Sequence, residues 1–122
     1  MIEKSGTPAY IAPEILIGNG YTGFASDYWS LGVVLYSMLY GQVPFKSNKI
    51  KEMHKLIIEG KYDMPDDISE EERDLVCHLL EINPNKRFQF EQIIKHKWFS
   101  NFENNSIIIK FLLLLKPRKK IF

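Results

Sequence analysis

The sequence predicts a mainly α-helical fold with no sheet of note. Three observations carry this. No run sustains the alternation of apolar and polar residues that marks a half-buried strand. Residues 26–40 form an apolar stretch of helical length. The later segments open and close on residues that start and stop helices.

Residues 1–24 hold Gly6, Pro8, Pro13, Gly18, Gly20 and Gly23. That density of turn formers predicts an ordered loop, with at most a short helix beginning at Pro13, a favoured first helical position. Residues 26–40 follow, with Trp29, Leu31, Val33, Val34, Leu35, Met38 and Leu39 spread around the helix. A helix apolar on nearly all sides belongs at the centre of something larger. Ser26 or Asp27 can cap its start, while Gly41 and Pro44 stop it. Residues 48–59 form a third helix with Ile50, Met53 and Ile57 on one face and Gly60 ending it. Ser69 with Glu72 three residues later is the capping-box pattern and opens a fourth, whose stripe is Leu75, Val76, Leu79 and Leu80. The turn Asn83-Pro84-Asn85 leads to a fifth helix over residues 90–97, with Phe90, Ile93 and Ile94 inward. There is no internal repeat.

With 45% hydrophobic and 25% charged residues, the 122-residue chain has the composition of one globular domain with a modest core. A formal charge of +1 gives no reason to expect a nucleic acid partner. Cys77 is the single cysteine, which excludes an internal disulfide framework and fits a reducing cytosol. His54, His78 and His96 show no metal-ligand spacing with one another or with Cys77, so no metal site is expected. Residues 1–15, with a charged start and two prolines, do not read as a signal peptide. Residues 107–115 are apolar apart from Lys110, well short of the about 20 residues that span a membrane. Residues 100–122 break from the preceding composition and are expected to form a disordered or loosely docked tail. The alternative for this tail is a membrane contact through its apolar run and the basic residues 116–120.

Four blocks stand in a recognisable order: Gly6-Thr7-Pro8-Ala9-Tyr10-Ile11-Ala12-Pro13-Glu14, Asp27-Tyr28-Trp29-Ser30-Leu31-Gly32-Val33, Gly41-Gln42-Val43-Pro44-Phe45 and Asn83-Pro84-Asn85-Lys86-Arg87. Together they resemble the C-terminal lobe of a serine/threonine protein kinase, from the Ala-Pro-Glu end of the activation segment onward. The wording is most similar to the calmodulin-dependent and Snf1-like group. The resemblance covers about residues 5–99, giving an incomplete kinase domain over 1–99 with the helix of 26–40 as its central pillar.

The resemblance implies roles for particular residues. Glu14 would pair with Arg87 and tie the substrate-docking loop to the lobe; read alone, Glu14 is a first-turn carboxylate favoured by the helix dipole. Asp27 would accept hydrogen bonds from the catalytic loop, a role compatible with helix capping. Thr7 would reach the catalytic aspartate, although a hydroxyl there also serves simply to hold a turn. Pro8 and Ile11 would line the pocket for the substrate residue after the phosphoacceptor. Trp29 is a structural member of the second block, and Trp98 would anchor the end of the domain. Two positions depart from common relatives. Glu3 occupies a place where many carry a phosphorylatable residue; it is either a partial stand-in for phosphate or a solvent-exposed start. Ser37 stands where some arginine-directed relatives place a glutamate, which argues against strict basic specificity.

Phosphoryl transfer in kinases needs a Gly-rich loop, a strand lysine, a His-Arg-Asp loop and an Asp-Phe-Gly metal ligand. None occurs in these 122 residues, so no catalytic residue is expected and the chain alone is expected to be inactive. ATP and magnesium are implied for the full-length family only. The leading expectation is thus a partial kinase domain supplying substrate-docking and structural elements. Its protein substrates or regulators would meet the loop of residues 6–14 and the helix of residues 48–59. A non-catalytic docking module and a functionless gene remnant are the alternatives. Without the rest of a lobe around residues 26–40, a marginal, aggregation-prone or partner-dependent fold is expected.

Overall fold

The longest of the described helices takes its place from what surrounds it. In the computed structural model, which describes residues 10–20 and 23–100, this is α2 (Phe24–Tyr40), and Tyr28, Trp29, Leu31, Val33, Leu35 and Tyr36 along it are buried. Around it stand α1 (Pro13–Leu16), α3 (Ile50–Glu59), α4 (Glu70–Leu79), α5 (Phe90–Ile94) and α6 (Lys97–Ser100). No strand occurs among the described residues. Helix α2 packs on α4, α1 on α3, and α6 on both α4 and α5. One apolar cluster joins Trp29, Val33, Tyr36, Phe45, Ile57, Leu75, Val76, Leu79, Ile93 and Trp98.

Local chemistry accounts for several helix ends. Pro13 opens α1. Gly41 and Gly60 close α2 and α3 with φ of 75° and 67°, a left-handed conformation that a side chain disfavours. Ser69 Oγ accepts the Glu72 N–H at 3.1 Å at the start of α4. The reciprocal half of the capping box is redirected, because the Glu72 carboxylate takes the Tyr40 hydroxyl at 3.4 Å and links α4 to α2. Asn83 Oδ1 accepts the Asn85 N–H at 2.9 Å, forming the turn before α5.

Three expectations are corrected. Helix α2 begins at Phe24 rather than residue 26, with Gly23 at its N-cap and no side-chain cap. Ser26 is buried one turn further in, where its hydroxyl has a distant acceptor. Helix α3 begins at Ile50, and Ile50 does not join Met53 and Ile57 in the core: it is 53% exposed. The expected helix over residues 90–97 is two helices. His96 Nδ1 accepts the Trp98 N–H at 3.1 Å, and its Nε2–H donates to Asp74 Oδ2 at 2.7 Å on α4. A side chain that caps the next turn while reaching another helix favours a break at that point. His96→Ala should cost about 1–2 kcal/mol, read as a lower thermal midpoint and faster exchange of the Trp98 amide.

The approach of α2 to α4 is set by Gly32. A Cβ there would stand 2.9 Å from Leu79 Cβ and 3.0 Å from Leu80 Cδ2. Leu79 Cβ sits directly on the backbone and cannot swing aside. Gly32→Ala is therefore expected to destabilise the chain by about 1–3 kcal/mol, although alanine is the better helix former. A rise in thermal midpoint on this substitution would refute the close approach.

Candidate functional site

Glu14, in the first turn of α1, and Arg87, in the loop before α5, lie 73 residues apart in sequence and are both buried. They meet as a two-pronged pair: Arg87 Nη1 donates to Glu14 Oε2 at 2.9 Å and Nη2 donates to Oε1 at 2.8 Å. The remaining guanidinium hydrogens are also placed. Nε donates to the Glu81 carbonyl at 2.9 Å, Nη1 to the Ala25 carbonyl at 2.7 Å and Nη2 to the Ile82 carbonyl at 3.1 Å. All five donors of the fork are thus engaged, which is what lets a permanent cation sit in the interior.

Ser26 completes the set by donating its hydroxyl to Glu14 Oε2 at 2.8 Å. Burial would raise the Glu14 pKa, but the Arg87 and Ser26 hydrogen bonds and the Arg87 charge outweigh it and hold the carboxyl below its ordinary value. The Arg87 guanidinium carbon lies 5.2 Å from the centre of the Trp29 ring, and Trp29 stacks on Phe45 at 5.5 Å with the planes 14° apart. One junction therefore binds α1, the first turns of α2, the loop carrying Phe45 and the segment of residues 81–87.

Of the residues singled out from sequence, the fold gathers Glu14, Trp29 and Arg87 here. Asp27 stands half-buried in the first turn of α2, where a carboxylate complements the helix dipole. Ile11 is half-buried immediately before the buried Ala12. Thr7, Pro8 and Glu3 lie outside the described residues, as do residues 101–122 of the tail. Ser37 Oγ donates to the Val33 carbonyl at 2.8 Å within α2. Trp98 is 8% exposed and belongs to the core cluster. Sequence reasoning missed the clamp role of Ser26, which carried only the signal of a helix cap. It also missed the three carbonyls that receive Arg87, for which no side-chain signal exists.

The described residues bring no metal-ligand cluster together. No group of three or more His, Cys, Asp or Glu side chains among them could hold a cation. Glu14 is committed to Arg87, and Asp74 accepts from His96. No chemical step is assigned to these side chains. Among the described helices, none is long and apolar enough to cross a membrane.

The protein kinase domain is matched over residues 1–99 of the chain. The chain belongs to the protein kinase family. Within that family it is 42% identical over 94 residues to CBL-interacting protein kinase 20 of Oryza sativa subsp. japonica, covering 77% of this chain and 20% of the rice protein. It is 40% identical over 99 residues to a probable serine/threonine-protein kinase of Saccharomyces cerevisiae, covering 81% of this chain and 6% of the yeast protein. CBL-interacting serine/threonine-protein kinase 20 of Arabidopsis thaliana is 42% identical over 94 residues, covering 77% of this chain and 21% of the plant protein. These are serine/threonine kinases of the Snf1-like type to which the motifs pointed. The matched part of the chain spans about a fifth of the length of the plant kinases. The all-helical architecture of the described residues agrees with a portion of the kinase C-terminal lobe.

Proposed function

We propose that this chain forms the substrate-docking and structural portion of a serine/threonine kinase C-terminal lobe. The polypeptide or assembly that also supplies the nucleotide-binding and catalytic-loop residues would transfer the ATP γ-phosphate to a protein serine or threonine hydroxyl. In this reading Thr7, Pro8 and Ile11 border the phosphoacceptor, and Asp27 steadies the catalytic loop. Glu14, Trp29 and Arg87 hold the docking loop at a fixed height on the lobe. The supporting observation is the buried Glu14–Arg87 fork. It anchors the chain just after Ile11 to two remote segments, so that a substrate would meet a positioned surface.

A chimera tests this reading. Residues 1–99 replace the matching segment of the rice CBL-interacting protein kinase 20, and phosphate transfer to a serine peptide is followed with magnesium and ATP. Activity within about tenfold of the parent is expected, since placement is what the segment supplies. A chimera that folds and binds ATP, yet transfers no phosphate, would overturn the proposal.

A further inference from the structure

Helix α3 carries a second stripe that its packing leaves outside the core. At about 100° per residue, Met53, Leu56 and Ile57 face inward, and Ile50, His54 and Ile58 fall one turn apart along the neighbouring edge. Ile50 is 53% exposed and Ile58 37% exposed, with His54 half-buried between them. Next around the helix come Lys51 and Lys55, both exposed and also one turn apart. Glu52 and Glu59 lie further round, away from the apolar stripe, and Glu52 accepts the Ser47 hydroxyl at 2.7 Å. The edge thus sets two isoleucines about 12 Å apart with His54 between them, and a cationic rail runs alongside.

Charge selects the occupant. A second copy docked through the same stripe would bring Lys51 and Lys55 towards their own counterparts. The chain's own C-terminal segment fits no better: residues 104–122 contain no Asp or Glu and five Lys or Arg, so it would meet the lysines with like charge. We infer that this edge docks an acidic amphipathic helix of another protein. Its apolar side chains would lie along Ile50, His54 and Ile58, and its carboxylates would face Lys51 and Lys55. The inference rests on the proposed docking role of this helix and adds the chemistry of the partner.

The test uses the full 122-residue chain and a fluorescent amphipathic peptide of about 18 residues, with leucines on one face and glutamates on the adjoining flank. The comparison peptide carries lysines in place of the glutamates. Saturable binding of the acidic peptide is expected by anisotropy, weakening as salt rises. The paired substitution Lys51→Glu/Lys55→Glu should weaken it by about tenfold or more, and Ile50→Ser/Ile58→Ser by a similar factor, with circular dichroism unchanged. Equal binding of the lysine peptide, or indifference to the charge reversal, would overturn the inference. So would self-association of the chain that Ile50→Ser/Ile58→Ser abolishes. Binding is read without ATP, whereas the kinase reading is scored by phosphate transfer in the unsubstituted chimera, so either can fail while the other stands.

Discussion

Replacing Glu14 with glutamine is expected to lower the unfolding free energy by about 3–5 kcal/mol, because it strands the Arg87 cation in the interior. The pair is nearly invisible to solvent, with side-chain exposures of 0% for Arg87 and 2% for Glu14. An exposed ion pair would be worth little; here the remaining charge has no water to turn to. Glutamine keeps the shape and one acceptor oxygen, so the loss reports charge rather than volume. Arg87→Lys gives the complementary result. It retains the cation but cannot reach Glu14 and three carbonyls in a planar fork, and should also destabilise. Urea unfolding of the chain and of the rice-kinase chimera, followed by circular dichroism, measures both. A loss below about 1 kcal/mol for Glu14→Gln would remove the clamp from the account of the fold.

The same pair fixes the direction of a pH effect. The folded Glu14 pKa lies below its ordinary 4.5, so between the two values the unfolded chain binds more protons than the folded one. The stabilisation is fully present above the unfolded value and is lost as pH falls through the folded value. The Glu14→Gln chain should lack this acid-limb loss, leaving its stability flatter below pH 4.5 than that of the unsubstituted chain.

Trp29→Ala is the second substitution of large expected effect, at about 3–5 kcal/mol. The ring is fully buried, stacks on Phe45 and underlies Arg87, so its removal opens a cavity beside the charged junction. Trp29 Nε1 has no hydrogen-bond partner among the described residues. Trp29→Phe should therefore cost clearly less than Trp29→Ala. It keeps an aromatic face under Arg87 and removes a buried donor instead of leaving one unmet. Calorimetric melting of the two variants side by side separates packing from hydrogen bonding. Equal losses in both would mean that the indole nitrogen, rather than the ring, carries the contribution.

How much of the site was legible depended on what kind of signal each residue carried. Glu14 and Arg87 could be paired before any geometry, though only through a family resemblance; nothing local links residues 73 positions apart. Trp29 read as core because the whole of α2 is apolar. Ser26 read as a cap, since a serine near a helix start ordinarily bonds the nearby backbone. Its true acceptor is the Glu14 carboxylate, brought in by folding. The expected inward Ile50 followed the helical period correctly to within one face, but the period alone does not say where the neighbouring element ends.

By itself the sequence determined the helical class, the family and several helix ends, because these rest on effects that act within a turn or on contiguous motifs. Pro13, Gly41, Gly60 and Ser69 do their work on their own backbone, whatever surrounds them. The tertiary structure alone decided the break at His96, which turns on Asp74 from another helix. It also decided the exposure of Ile50 and the need for glycine at position 32, which depends on how near Leu79 approaches. In each case the deciding partner is distant in the chain. Its distance is set by how the entire core packs, and no local pattern encodes it.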